Sequence, residues 1–338
     1  MDMDTIFTTL YVLVDDWYKA EIAESMQRHR GGRMRMSDSE VLTVALAGQW
    51  QAGMPWRSER EVVAYVQRHL RGLFPTMLGR SAFNRRVRCL WGGFVRLQQL
   101  VAEQLRGADE LYESVDSVPV PSLSNGQAQR QSTHWTWQSR RGRGSYGRFV
   151  WGERVLMAVS PSGVIRGWIA AGANVNDRWL LEALLNRRAG GDALHEPKQR
   201  PRDGNKPRTT PPAATHLFGW AAVGETLSGD YLADRGFNGR RWRQQWQQAY
   251  GARVLAPPPP NEPGTWSAAQ HRWLASHRQI VETVFARLDN VFGFKRLLAH
   301  SRWGQLTRLA AKTAAYNIGL YLNRMLNRPL GVLATLFR

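Results

Sequence analysis

The stretch LYESVDSV, Leu111–Val118, is where the period of the chain changes. It is short, alternating and β-prone, the pattern of a strand with one face in a core, and Asp116 falls near its centre. Everything before it reads as helix. Ile6, Leu10, Leu13 and Trp17 recur at helical spacing, and Ser37-Asp38-Ser39-Glu40 is a capping box opening VLTVALAGQW, which Gly53-Met54-Pro55 closes. A third helix is predicted from about Ser58 to Leu70. A fourth starts near Ser81, carries Arg85, Arg86 and Arg88 in its first turns and turns apolar toward Leu105. That basic-fronted helix suits groove binding in the helix-turn-helix manner, and equally a plain helical bundle with a solvated basic face.

After Val118 the chain mixes strands and helices. Residues 122–150 hold no acid and carry Arg130, Arg140, Arg141, Arg143 and Arg148 among His134, Trp135, Trp137 and Tyr146. Basic side chains follow phosphates and aromatic rings stack on unpaired bases, so the stretch reads as a DNA-binding segment or as a merely basic loop. Two strands follow, about Glu153–Val159 and Val164–Ala170, around a Pro161-Ser162-Gly163 turn. Asn174, Asn176 and Asp177 precede a helix, with one of them as cap, and Asp177 is read as a cap and not as a ligand. Residues 189–214 are rich in Gly, Pro, Lys and Arg and read as a mobile insertion. Next come a strand ending in Ala233-Asp234-Arg235-Gly236, a helix about Arg240–Tyr250 and a strand Ala252–Ala256. Ser267 and Gln270 then cap a helical region, and an amphipathic helix over Gly304–Asn327 closes the chain.

That last helical region contains HRQIVETVFARLDNVFGFKR, His277–Arg296. At about 100° per residue, Ile280, Val281, Val284, Phe285, Leu288, Val291 and Phe292 form one apolar side. Arg278, Glu282, Asp289 and Arg296 share its flank within roughly 40°. A carboxylate at the border of a core-facing helix is rigidly aimed, as metal chemistry requires, although an ordinary solvated flank looks the same.

Charge narrows the partners. The 338 residues include 46 Lys and Arg against 27 Asp and Glu, a net charge of +19, which points to a polyanion, nucleic acid first. A membrane partner is excluded on sequence grounds: MDMDTIF is not ordered like a signal peptide, and Lys312 and Arg324 interrupt the most apolar part. The single cysteine, Cys89, rules out an intramolecular disulfide and a cysteine-rich zinc site, and a cytoplasmic setting is expected.

Strand with hairpin, helix, strand, helix, strand and long helix is the order of a ribonuclease-H-like sheet, in which the first and fourth strands are neighbours. Acids at Asp116, Asp234 and Glu282 would then meet. Three hard oxygen ligands suit two Mg²⁺ ions, with Mn²⁺ as a substitute. At this point the sequence resembles the DDE transposases of bacterial insertion sequences, over nearly the whole chain. MSDSEVLTVALAGQW and GRSAFNRRVRCLW resemble N-terminal blocks of one branch. ESVDSVPVP matches the first-Asp strand, YLADRGFNG the second-Asp strand and turn, and His277–Arg296 the Glu helix.

The resemblance implies an α/β fold: a ribonuclease-H-like, mixed five-stranded sheet flanked by helices and preceded by an all-α domain. Residues 1–106 would bind DNA and residues 107–338 would be catalytic. It implies Asp116, Asp234 and Glu282 as catalytic metal ligands, and Arg278 as the arginine of the tyrosine–arginine–glutamate–lysine signature, holding phosphate or orienting Glu282. Ala275 and Asp289 stand where that signature has tyrosine and lysine. The implied activity is cutting at insertion-sequence ends to free 3′ hydroxyls and joining them to target DNA. The implied partners are double-stranded DNA and a second copy of the chain in the DNA complex, in a bacterial, nucleoid-associated setting. A ribonuclease-H-like nuclease such as a junction resolvase, or a domesticated DNA-binding protein that no longer cuts, are the alternative readings.

Overall fold

Strand β1 (Glu113–Leu123) lies inside a mixed sheet with β2 (Arg140–Arg143), β3 (Phe149–Val159), β4 (Ile165–Gly172), β5 (Trp220–Val223), β6 (Asp230–Leu232) and β7 (Arg253–Leu255). The computed structural model describes residues 2–24, 35–108, 110–123, 140–143, 149–191, 220–223, 229–259, 266–299 and 301–337. The strand order is β5-β4-β3-β1-β6-β7, with β2 paired to β3 off that path. β1 runs antiparallel to β3, with Asp116 opposite Met157, and parallel to β6. The five strands β4-β3-β1-β6-β7 are the predicted ribonuclease-H-like sheet. The four-residue strands β2 and β5 extend it.

β2 puts a short strand inside residues 122–150, the stretch read as a DNA-binding segment or a basic loop. Gly152 of β3 pairs with Pro121 of β1 and with Arg140 of β2, so β2 takes the edge of β3 that β1 leaves open. The approach is close enough that a Cβ on Gly142 would sit 1.8 Å from the Ala173 carbonyl oxygen, so only glycine fits there. Arg130, Arg148 and the aromatics His134, Trp135, Trp137 and Tyr146 lie outside the described residues, as does nearly all of the insertion read at 189–214.

The chain divides into two units: residues 109–161 with 166–281, and residues 1–108 with 162–165 and 282–338. In the sheet unit, helices α6 (Asp177–Arg188) and α7 (Arg240–Tyr250) bury one core with the sheet. Val115, Leu156, Ile169, Leu181, Leu184, Tyr231 and Trp246 all lie in it. Trp179 and Trp242 pack against it edge to face, 4.7 Å apart. Gly163, at φ +87°, turns β3 into β4 as the Pro-Ser-Gly motif predicts.

In the other unit, α1 (Met3–Trp17), α2 (Asp38–Ala47), α3 (Glu59–His69), α4 (Arg80–Cys89) and α5 (Trp91–Gln104) precede α9 (Arg302–Met325). The Ser37–Glu40 capping box forms as read. The buried stripe of α1 is Ile6, Phe7, Leu10 and Val14 rather than one through Leu13 and Trp17. The predicted fourth helix is two, broken at Leu90 without a glycine or proline. α9 is held by Asn317, whose buried amide accepts from Ile165 N at 3.1 Å and donates to Ile165 O at 2.9 Å. Trp50 packs on Phe292 and Phe337, ring centroids 4.9 and 4.7 Å away.

The long helix α8 (Ala268–Phe292) begins with the predicted Ser267–Gln270 capping box: Gln270 N donates to Ser267 Oγ, and Ser267 N to Gln270 Oε1. It buries Val281, Val284, Leu288, Val291 and Phe292. It stops at Phe292 because Gly293 takes φ +61°, the left-handed cap that glycine supplies without strain. Arg296 is therefore past the helix end and not on the flank with Arg278, as the periodicity suggested. Among the described residues no helix is long and apolar enough to cross a membrane.

Candidate active site

Alternation along β1 sends neighbouring side chains to opposite faces. Val115 enters the core under α6 and α7, while Ser114 and Asp116 take the other face. There α8 meets them: Ser114 Oγ donates to the His277 carbonyl at 3.1 Å, and Arg278 Nη2 lies 3.6 Å from Asp116 Oδ2.

The parallel pairing of β1 with β6 brings in the second acid. Ser114 is level with Leu232, so two residues on each strand reaches an aspartate, Asp116 on one and Asp234 on the other. Asp234 caps the 3₁₀ turn Arg235–Phe237, accepting from Gly236 N at 2.7 Å. A Cβ on Gly236 would come within 2.9 Å of that carboxylate oxygen, so the glycine of the motif is part of the cap. The turn is braced from outside. Arg178 Nε donates to Gly236 O at 2.8 Å, and Asn238 Nδ2 to Pro257 O at 2.6 Å.

Burial pushes the Asp116 carboxyl up to about 6, against the pull of the Ser117 amide that donates to it at 2.7 Å. The negative charge of Asp234 adds to the rise, Arg278 offsets part of it, and Asp177 adds a smaller push. Two like-charged hard-oxygen groups, one on β1 and one at the turn after β6, are donors of the kind that a divalent cation neutralises, and their residues fit such an ion.

Glu282 stands one helical turn beyond Arg278 on α8, exposed, with no hydrogen bond or ion pair among the described residues. The structure thus gathers Asp116, Asp234 and Arg278, and puts Arg278 against Asp116 rather than against Glu282. Among the described residues no group of three or more His, Cys, Asp or Glu side chains is close enough to hold a metal ion. Asp289 serves the helix end, accepting from Lys295 N at 3.1 Å, and Ala275 is exposed.

Asp177 is not the cap. Asn176 fills that role, accepting from Arg178 N at 3.0 Å, and Asp177 is the first helical residue. Its carboxylate accepts from Ser117 Oγ and pairs with Arg154 Nη1 at 3.1 Å, and Arg154 also donates to Ser117 Oγ at 3.2 Å. The residue after Asp116 is thereby tied to α6 and β3 from beneath. A second unforeseen group, Glu113 with Arg188, lies on that same face, where Arg188 Nη2 is 2.8 Å from Glu113 and its Nη1 donates to Tyr231 Oη at 2.8 Å.

The predicted DNA-binding arginines separate. Arg86 is ion-paired with Asp38, which also accepts from Tyr18 Oη at 2.5 Å, so it holds the helices together. Arg85 and Arg88 line a cleft in their own unit. Arg140, Arg141 and Arg143 have their backbones in β2.

Residues 201–318 match the family model described as transposase DDE domain. The match takes in Asp234, Arg278 and Glu282 and begins downstream of Asp116. No curated protein matches the chain. With the ribonuclease-H-like sheet, which carries Asp116 on β1 and has Asp234 just past the end of the adjacent β6, the match makes this part of the chain similar to the DDE domain of transposases.

Proposed function

We propose that this protein is a transposase that binds the ends of an insertion sequence, cleaves them to free 3′ hydroxyls and joins those to target DNA. The observation that carries this reading is the pair Asp116 on β1 and Asp234 at the turn that ends the adjacent parallel strand β6, with Arg278 against the first. Transposases of this family work with divalent metal ions. Asp116, Asp234 and Glu282 would hold two of them, Mg²⁺ or Mn²⁺, which when bound activate the attacking oxygen and stabilise the leaving one.

The chain's own residues set the stage for that chemistry. The Gly236 turn fixes the rotamer of Asp234, and the Ser117 amide fixes that of Asp116. Arg278 keeps a cation beside Asp116, and its buried Nε has no hydrogen-bond partner among the described residues, leaving a donor for a phosphate oxygen. Double-stranded DNA is the partner that the charge of +19 calls for, and a pair of protomers would hold two ends.

A domesticated DNA-binding protein is the second reading, favoured by the lack, among the described residues, of three converging metal-ligating groups. Incubating the protein with an element end, target plasmid and Mg²⁺ separates the readings. Nicked 3′ ends together with joined product are expected. Nicks without joining would support a nuclease instead, and binding without nicks a domesticated protein.

A further inference from the structure

The unit that contains the N-terminal helices holds a cleft of about 580 Å³ between α4 and α9. Arg80, Arg85, Arg88 and Arg308 line it, against a single acid, Glu59. That acid is already engaged, by Asn84 Nδ2 at 2.8 Å and Arg308 at 3.5 Å. Three guanidinium groups are left without an acidic partner among the described residues. Arg88 lies over the Trp303 ring at 5.7 Å, with its Nε buried and without a hydrogen-bond partner. Both helices start at the cleft. α4 has no side-chain cap at Gly79, so its first N–H groups can meet an anion, whereas α9 is capped by Ser301, whose Oγ accepts from Gly304 N at 3.1 Å. Leu298, 57% exposed with φ +51°, borders the cleft.

Beneath this surface the cations crowd one another. Burial lowers the pKa of Arg308, and Arg80 lowers it further. Lys312, which donates to the Phe292 carbonyl, is brought down to about 7 by burial and by Arg308. Such crowding is relieved by an anion.

The anion is a polymer rather than a lone phosphate, because the cations are spread out. Eight residues separate Arg80 from Arg88, about 12 Å along the helix at ~1.5 Å per residue. One DNA strand gains a phosphate every ~3.4 Å of axial rise, so the row spans about three phosphates. We infer that this cleft clamps the phosphate backbone of one DNA strand through Arg80, Arg85 and Arg88, without reading bases. The inference rests on the reading of the protein as a DNA-binding transposase. It removes α4 from the role of groove reader, since Arg86 is tied to Asp38 and the other arginines face the cleft.

The test uses the full chain and two labelled duplexes of equal length, one from the element end and one scrambled, titrated over a range of salt. Arg80→Ala/Arg85→Ala should reduce the log–log salt slope by about 1.8, at ~0.9 for each phosphate no longer neutralised, and weaken both duplexes by the same factor. Arg80→Lys/Arg85→Lys should restore most of the slope. Both side chains are exposed, so the melting temperature should not move. Arg86→Ala should lower the melting temperature and leave the slope alone. An unchanged slope in the double alanine variant overturns the clamp, and so does weakening confined to the element end. If the unsubstituted protein binds neither duplex, it is the transposase reading that fails.

Discussion

Arg188 and Glu113 form an ion pair at 2.8 Å with side chains only 6% and 1% exposed, beneath the junction of the two strands that lead to Asp116 and Asp234. Glu113 is level with Tyr231 across that junction, and Arg188 also lies over the Tyr231 ring at 5.7 Å. Removing one member of a buried ion pair costs more than the pair contributes. Arg188→Ala should therefore destabilise the fold by about 3–5 kcal/mol. Glu113→Gln/Arg188→Met should cost much less than Arg188→Ala. Denaturant unfolding of the three proteins checks this, and equal costs would mean that the pair adds nothing beyond its volume.

Asp116 gives a pH signature. Its carboxyl is raised, by burial first, from 3.8 to about 6. A raised acid favours the protonated fold, so this group's cost is absent below pH 4, develops between pH 4 and 6, and is complete above. At ~1.4 kcal/mol per unit the cost is about 3 kcal/mol. Asp116→Asn should match the wild type in stability at pH 4 and exceed it by roughly that amount at pH 7, while losing cleavage. Adding Mg²⁺ at pH 7 should narrow the gap by stabilising the wild type alone. A difference independent of pH would mean that the carboxylate is not held against its charge.

The same two acids show how far the sequence could be read. Asp116 and Asp234 were legible because a period-two strand and an acid–glycine turn are local patterns, and parallel pairing of two strands does the rest. Ser117, Arg154 and Asp177 were not. Asp177 has the look of any acid in a first helical turn, and Arg154 that of a solvated strand charge. Their partnership exists only once β1, β3 and α6 are packed. β2 escaped for a different reason: Arg-Arg-Gly-Arg has no strand propensity, and its pairing comes from the open edge of β3 and the space that Gly142 leaves. The break at Leu90 carried no punctuating residue. The end of α8 did carry one, Gly293, which the apolar periodicity running on through it obscured.

Asp177 should behave as a positioning residue. Asp177→Asn removes the carboxylate charge that Ser117 and Arg154 share and loosens Ser117, whose amide contacts Asp116. A fall in cleavage rate of about tenfold is expected, the effect of ~1.4 kcal/mol on a barrier. The Mg²⁺ concentration for half-maximal rate should stay put, because the residue is not a ligand. A large shift in that concentration would make Asp177 part of the metal site.

What each acid of α8 already does favours Glu282 over Asp289 as the proposed third ligand. Glu282 and Asp289 are seven residues apart, roughly 10 Å along the axis, too far for both to reach one pair of ions about 4 Å apart. Asp289 accepts the Lys295 amide at 3.1 Å, with Lys295 Nζ 4.0 Å away, and so stabilises the turn that Gly293 opens. Glu282 has no such task and follows Arg278, the residue in contact with Asp116, by a single turn. Glu282→Gln should keep the fold and DNA binding but lose Mg²⁺-dependent cleavage by orders of magnitude. Asp289→Asn should retain cleavage and give up about 1 kcal/mol of stability, the scale of one typical hydrogen bond. Single-turnover cleavage and thermal melts on both variants decide the matter. A dead Asp289→Asn protein beside an active Glu282→Gln protein would move the metal site two turns along the helix.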